Sequence, residues 1–228
     1  MTSFDLARRS VRELNAALHG RAGDQGGTWQ IRNPAGKHSI AVGLDAPLNL
    51  SIEGHVGYYC AGMNMRAEIT VHGNAGVGVA ENMMSGSVRV TGNASQSAGA
   101  TGHGGLLVIE GDAAGRCGIS MKGIDIVVKG SIGPMSAFMG QAGNLVVLRD
   151  AGENLGDSLY EARLFVRGPV RSLGTDCVPK PLGATELQIL DSLLRSAALR
   201  DAASPEEFKL YGSARSLYHF HVDHAGAY

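Results

Sequence analysis

The sequence predicts a mainly β protein wound as a right-handed parallel β-helix, a solenoid of about seven 19-residue coils with short flanking helices. Three observations carry this: a glycine that recurs every 19 residues, two aliphatic positions before it that never lapse, and 33 glycines in a chain with 5% aromatic but 44% apolar residues. Glycine at that density, without proline enrichment or low complexity, points to repeated tight turns rather than disorder.

The anchors are Gly54, Gly73, Gly92, Gly111, Gly130 and Gly168, with Arg149 in the sixth place. Asp-Ala-Gly at 150–152 matches Asn-Ala-Gly at 74–76, so the repeat runs through Arg149. Four and two residues before each anchor stand Leu50 and Ile52, Ile69 and Val71, Val88 and Val90, Leu107 and Ile109, Ile126 and Val128, Leu145 and Val147, and Leu164 and Val166. The positions between are more polar, as in Ser51, Thr70, His72, Arg89 and Lys129, and such alternation defines a strand with one face inward.

Past each anchor comes a turn-former (His55, Asn74, Asn93, Asp112, Ser131, Asp150 or Pro169), then an apolar residue from Val56 to Val170. A second glycine follows in Gly57, Gly76 and Gly133, and seven residues past the anchor the side chain is small: Ala61, Ala80, Gly99, Gly118, Ala137, Gly156, Thr175. A corner that tight leaves no room for bulk. The unit has no room for a crossover helix and cannot bury its own apolar face, so it must stack on its neighbours. At roughly 4.8 Å per coil, the column is about 34 Å long.

Open ends of such a column would template association, so the flanks are expected to cap it. Residues 1–47 form an N-terminal capping segment, 48–178 the β-helix, and 179–228 a C-terminal helix and tail. Ser10 and Glu13 make a capping box ahead of Val11, Leu14 and Leu18, and Gly20 ends that helix. A strand is expected around Trp29–Arg32. Leu187, Leu190, Leu194 and Ala197 place a second helix over 184–202, and Ser204-Pro205 starts another.

With 20 basic against 21 acidic residues and no basic run, the chain is not a nucleic-acid binder. It shows neither a signal-peptide stretch nor about 20 consecutive apolar residues, so a cytoplasmic protein off the membrane is expected. Three widely spaced cysteines, Cys60, Cys117 and Cys177, suit reduced thiols, and no CxxC pair suggests zinc or iron–sulfur.

No catalytic constellation emerges. GNAGVGVAE at 73–81 and GATGHGG at 99–105 lack the strand–loop–helix context of a phosphate loop. Cys60 or Cys117 with His103 lacks an orienting third group. His219, His221, Asp223 and His224 can converge on a metal, or can alternate along a docking strand, and no metal site is assigned to them. Met63, Met65, Met83, Met84, Met121 and Met139 fall nine to eleven residues past their anchors, either filling a corner of the core or forming an adaptable surface for a partner. Met63, Met83, Met84, Met121 and Met139 make one candidate interface with Asn64. Tyr211, Tyr218, Phe220 and Tyr228 make another, since aromatic anchors on a terminal segment suit a docking arm, or else a cap on the column.

The repeats GHVGYYCA, GNAGVGVA and GSIGPMSA resemble the GXGXG-repeat family, which includes the C-terminal β-helix of the glutamate synthase large subunit and a subunit of formylmethanofuran dehydrogenase. The likeness spans 29–178 and loosens at Ser95, Ala114, Arg149, Arg171 and Thr175. GYYCAGMN, GVAENMMSG, GRCGISMKG and SLYHFHVDHAGAY are similar to the free-standing version of this domain, found as a separate chain of N-methylglutamate synthases and in related glutamate-synthase-like operon proteins. That resemblance implies a structural subunit of a hetero-oligomer forming N-methylglutamate from methylamine and glutamate. It implies two partners: a glutamine-amidotransferase-like subunit, and a synthase-like subunit that carries FMN and an iron–sulfur cluster. No cofactor and no catalytic residue is implied in this chain. A β-helix subunit of a glutamate synthase or formylmethanofuran dehydrogenase complex is the alternative. A stand-alone β-helix enzyme fits less well, because acyltransferase coils repeat every six residues and lyases need a calcium-binding acidic cleft.

Overall fold

The computed structural model describes residues 1–20 and 26–215. It is a parallel β-helix, and its strands form one sheet. β1 (Thr2–Asp5), β2 (Gly27–Arg32), β3 (Leu48–Glu53), β4 (Glu68–Val71), β5 (Ser87–Val90), β6 (Leu106–Ile109), β7 (Lys122–Val128), β8 (Ala142–Val147) and β9 (Arg163–Val166) lie side by side in chain order, all parallel. β11 (Lys209–Ser213) then inserts antiparallel between β9 and β10 (Cys177–Lys180). The register is the one the repeat dictates: Ile52, Val71, Val90, Ile109, Val128, Val147 and Val166 pair in sequence and are all fully buried.

The parallel stack begins before residue 48. β2 already pairs with β3, and β1, which the sequence did not mark, pairs with β2. Only four residues long, β1 has no visible alternation; it is held by its ladder to β2 and by Phe4, buried at the column's end.

Two further walls close each coil. Val56, Ala75, Ala94, Ala113, Ile132, Ala151 and Val170 bridge from coil to coil. Beside them runs a ladder of turn-formers. The amide of Asn74 donates to His55 Nδ1 (2.9 Å), Asn93 to Asn74 Oδ1 (2.8 Å), Asp112 to Asn93 Oδ1 (2.8 Å), Ser131 to Asp112 Oδ1 (2.7 Å) and Asp150 to Ser131 Oγ (3.3 Å). Pro169 has no N–H to offer Asp150, and the ladder stops there.

This ladder explains the anchors. A Cβ on Gly92, Gly111, Gly130 or Gly168 would collide with the side-chain oxygen of Asn74, Asn93, Asp112 or Asp150 one coil below. Gly73 instead abuts the backbone of Gly54 at 2.7 Å. Close approach, rather than left-handed backbone, selects these glycines; Gly54, at φ 130°, is the exception. Gly57, Gly76 and Gly133 are crowded likewise, by Gly36 and His38, by Gly57 and by Ala114.

The third wall is a run of turns in which alternate residues are left-handed. In one coil these are Tyr59, Ala61 and Met63 (φ 61°, 57° and 55°), and later coils repeat the set, as in Met135, Ala137 and Met139. Each such non-glycine residue costs on the order of 1 kcal/mol. The compensation is hydrogen bonding alternately up and down the column: Tyr59 N to Val77 O (2.8 Å), Ala80 N to Cys60 O (2.9 Å), Met63 N to Glu81 O (2.8 Å). From Ala61 to Gly156 the small residue seven past the anchor is thus both left-handed and buried. In the last coil the spacing shortens by one, since Leu155 bridges Leu173 whereas Ala151 bridges Val170. Gly174, not Thr175, therefore takes the place of Gly156: its N–H donates to Leu155 O just as that of Gly156 donates to Ser136 O.

The flanks cover the column. Helix α1 (Val11–His19) opens on the Ser10–Glu13 capping box. Its Asn15 donates to Ser39 O (2.8 Å) and accepts from Ala41 N (3.0 Å), while His19 Nε2 meets Val42 O (2.8 Å), so one helix face satisfies the first coil's backbone. Helix α2 (Ala184–Ser196) crosses the outer face of the sheet. Strands β6 to β9 carry Val108, Val127, Val146 and Phe165 outward, and these pack with Leu190, Leu193, Leu194 and Phe208 into a second core. The helix is shorter than 184–202, because Ala198 turns left-handed at φ 56° and short 3-10 turns follow at 200–202 and 205–207. Arg89 secures its end, donating to Ala197 O (2.8 Å) and Glu110 Oε1 (3.0 Å).

Candidate functional site

The methionine stripe divides by the direction of its side chains. Ten residues past the anchor the side chain points inward: Met83 and Met121 are fully buried, and so is Asn64. Asn64 donates to Ala67 O (2.8 Å) and Ser85 O (3.3 Å) and accepts from Ala67 N (3.1 Å), stapling a corner with its polar atoms satisfied. These three are therefore corrected from interface to core. Nine and eleven residues past the anchor the side chains point outward, leaving Met63, Met65, Met84 and Met139 exposed, with Tyr160 in the same file.

Tyr211 is corrected as well. It is buried in β11, paired with Pro179 on one side and Leu164 on the other, so the segment 209–213 closes the sheet instead of reaching out from it. Tyr218, Phe220 and Tyr228, and the tail histidines, lie outside the described residues.

Sequence reasoning missed an aromatic group on the outward wall. The rings of Tyr58 and Tyr59 lie 5.5 Å apart, and His38 meets Tyr58 edge-on at 6.4 Å. Asn82 Nδ2 donates to Tyr59 Oη (3.2 Å), and Thr101 Oγ1 donates to Asn82 Oδ1 (2.6 Å). A Cβ on Gly62 would strike the Tyr59 ring, and one on Gly78 would strike Glu81 Oε2, so two glycines make space for these side chains. The consecutive tyrosines, each followed at 19 residues by Val77 or Gly78, were the available signal.

No convergent chemistry appears among the described residues: no group of three or more His, Cys, Asp or Glu could hold a metal. Cys60 and Cys117 are buried free thiols, and burial pushes both up to about 12. Cys177 is raised to about 11 by burial and by the charge of Asp157. A cleft of about 490 Å3 opens where β10, β11 and the start of α2 meet, lined by Arg163, Lys180, Glu186, Tyr211 and Arg215. Two of its charges are committed: Arg215 pairs with Asp176 (2.7 Å) and Glu186 accepts from Gly183 N (3.2 Å). No described helix is long and apolar enough to cross a membrane.

Protein GlxC of Rhizobium meliloti (strain 1021) is 60% identical to this chain over 229 residues, covering 100% of both. The chain belongs to the GlxC family. No family model matches it, and no solved structure does. Identity of 60% over the whole of both chains means that the two share one fold.

Proposed function

We propose that this chain is a non-catalytic structural subunit of a heteromeric glutamate-synthase-like enzyme, and specifically of one that forms N-methylglutamate from methylamine and glutamate. The observation that carries the reading is the outward wall: a rigid column bearing exposed methionine and tyrosine side chains, while its thiols are buried and held protonated. A stiff scaffold with an adaptable apolar face is suited to holding other subunits in register. The GYYCAGMN and AENMMSG stretches, which carry the resemblance to N-methylglutamate synthases, both lie on this wall.

In this reading the partners are a glutamine-amidotransferase-like subunit and a synthase-like subunit with FMN and an iron–sulfur cluster, and the chemistry belongs to them. The test is to purify the tagged chain from its host. Two further subunits are expected, with flavin absorbance and N-methylglutamate formation following the complex rather than the isolated chain. Turnover by the homogeneous single chain, or a tagged chain that brings nothing with it, overturns the reading.

A further inference from the structure

We infer that the wall formed by Tyr58, Tyr59, Met63, Val77, Glu81 and Met84 is the docking face for a partner protein that presents a lysine or arginine within an apolar patch, with Glu81 as the counter-charge. The inference rests on the subunit reading above and adds to it the place and chemistry of the contact.

The surface is apolar where a lone column has no need of it. Tyr58, Met63, Val77 and Met84 are 48%, 44%, 41% and 44% exposed, and they sit on two neighbouring coils. Such side chains grouped on one face mark an interface rather than scattered exposure. The surface is also prepared in advance. Tyr59 is fixed by Asn82, Asn82 is fixed by Thr101, and Tyr58 leans on Tyr59, so little rotamer freedom remains to be lost on binding.

In its middle lies one carboxylate. Glu81 folds over Gly78 beside the Tyr59 ring and forms no ion pair or side-chain hydrogen bond among the described residues. Burial holds its pKa above the ordinary glutamate value. A half-buried carboxylate next to an aromatic face lacks its complement, and a cation arriving there meets both the carboxylate and the ring. An anionic or wholly apolar partner would leave that charge buried and unpaired.

The test uses the complex purified from its host through the tagged full-length chain. Glu81→Arg is expected to reduce the co-purified partner by about tenfold or more, and Glu81→Gln by less, with an unchanged melting temperature of the free chain. Glu68→Arg, a charge reversal at an exposed position of β4 on the sheet wall, serves as the control and is expected to retain the partner. If the wild-type chain captures no subunit, the subunit reading fails. If wild type and Glu81→Arg capture partners equally, this inference fails and that reading stands. A free chain that is dimeric in sedimentation and becomes monomeric on Glu81→Arg would show a second copy as the occupant and also overturn it.

Discussion

The amide of Asp150 donates to Ser131 Oγ (3.3 Å), so Arg149 just before it, at the one anchor position without glycine, adjoins the shortest oxygen-bearing turn residue of the ladder. Elsewhere the oxygen of Asn or Asp occupies the space a Cβ would need. The serine oxygen is one bond nearer its own backbone, which leaves room for a side chain above.

Exchanging these partners should therefore expose the coupling. Ser131→Asp is expected to destabilise the column by about 1–3 kcal/mol through overpacking against Arg149, and Arg149→Gly added to it should recover most of the loss. Gly111→Ala should cost a similar amount, of which Asn93→Ser recovers only part, because the Gly92 carbonyl oxygen still lies 2.8 Å from the new Cβ. Denaturant midpoints of the single and double variants check both cycles.

Phe165 and Thr70 occupy the same place in their coils, three residues before the anchor, with opposite surroundings. Phe165 is fully buried under the second helix, and Phe165→Ala should cost about 3–5 kcal/mol. Thr70→Ala, on the uncovered part of the sheet, should stay within about 0.5 kcal/mol. Equal effects would mean that α2 does not dock as described.

Truncation after Leu210 removes Tyr211, Gly212 and Ser213 from the strand that separates β9 from β10. A lower melting temperature or aggregation is expected, whereas a chain ending at Arg215 keeps that strand. The difference between the two melting curves measures what the closing strand contributes.

Cys60 and Cys117 should resist alkylation at neutral pH in the folded chain and react only on unfolding. Burial both blocks access and pushes the thiols up to about 12, so the thiolate that reacts is scarce. Stoichiometric labelling of either residue under native conditions would contradict the packed column.

Much of this fold was legible because the 19-residue period and the two-residue alternation reinforce each other at positions such as Ile52 and Val128. The left-handed wall was not, since Tyr59 and Met135 are poor candidates for positive φ and adopt it only through hydrogen bonds between coils. The docking of α2 was written in Val108, Val127, Val146 and Phe165, where strand alternation gives way to unbroken apolar runs. The methionine stripe gave the outward wall but not its division, because Met83 and Met84 differ by one residue and point to opposite sides.

The unbroken vertical register of the seven bridging residues from Val56 to Val170 makes the column a ruler. Along these seven residues each graduation is 19 residues and about 4.8 Å, even where the last coil shortens by one on its outward wall. Anything clasping the chain at two heights has its span fixed in those units, so evolution can retune the distance between attached bodies by duplicating a single coil while leaving every contact surface intact.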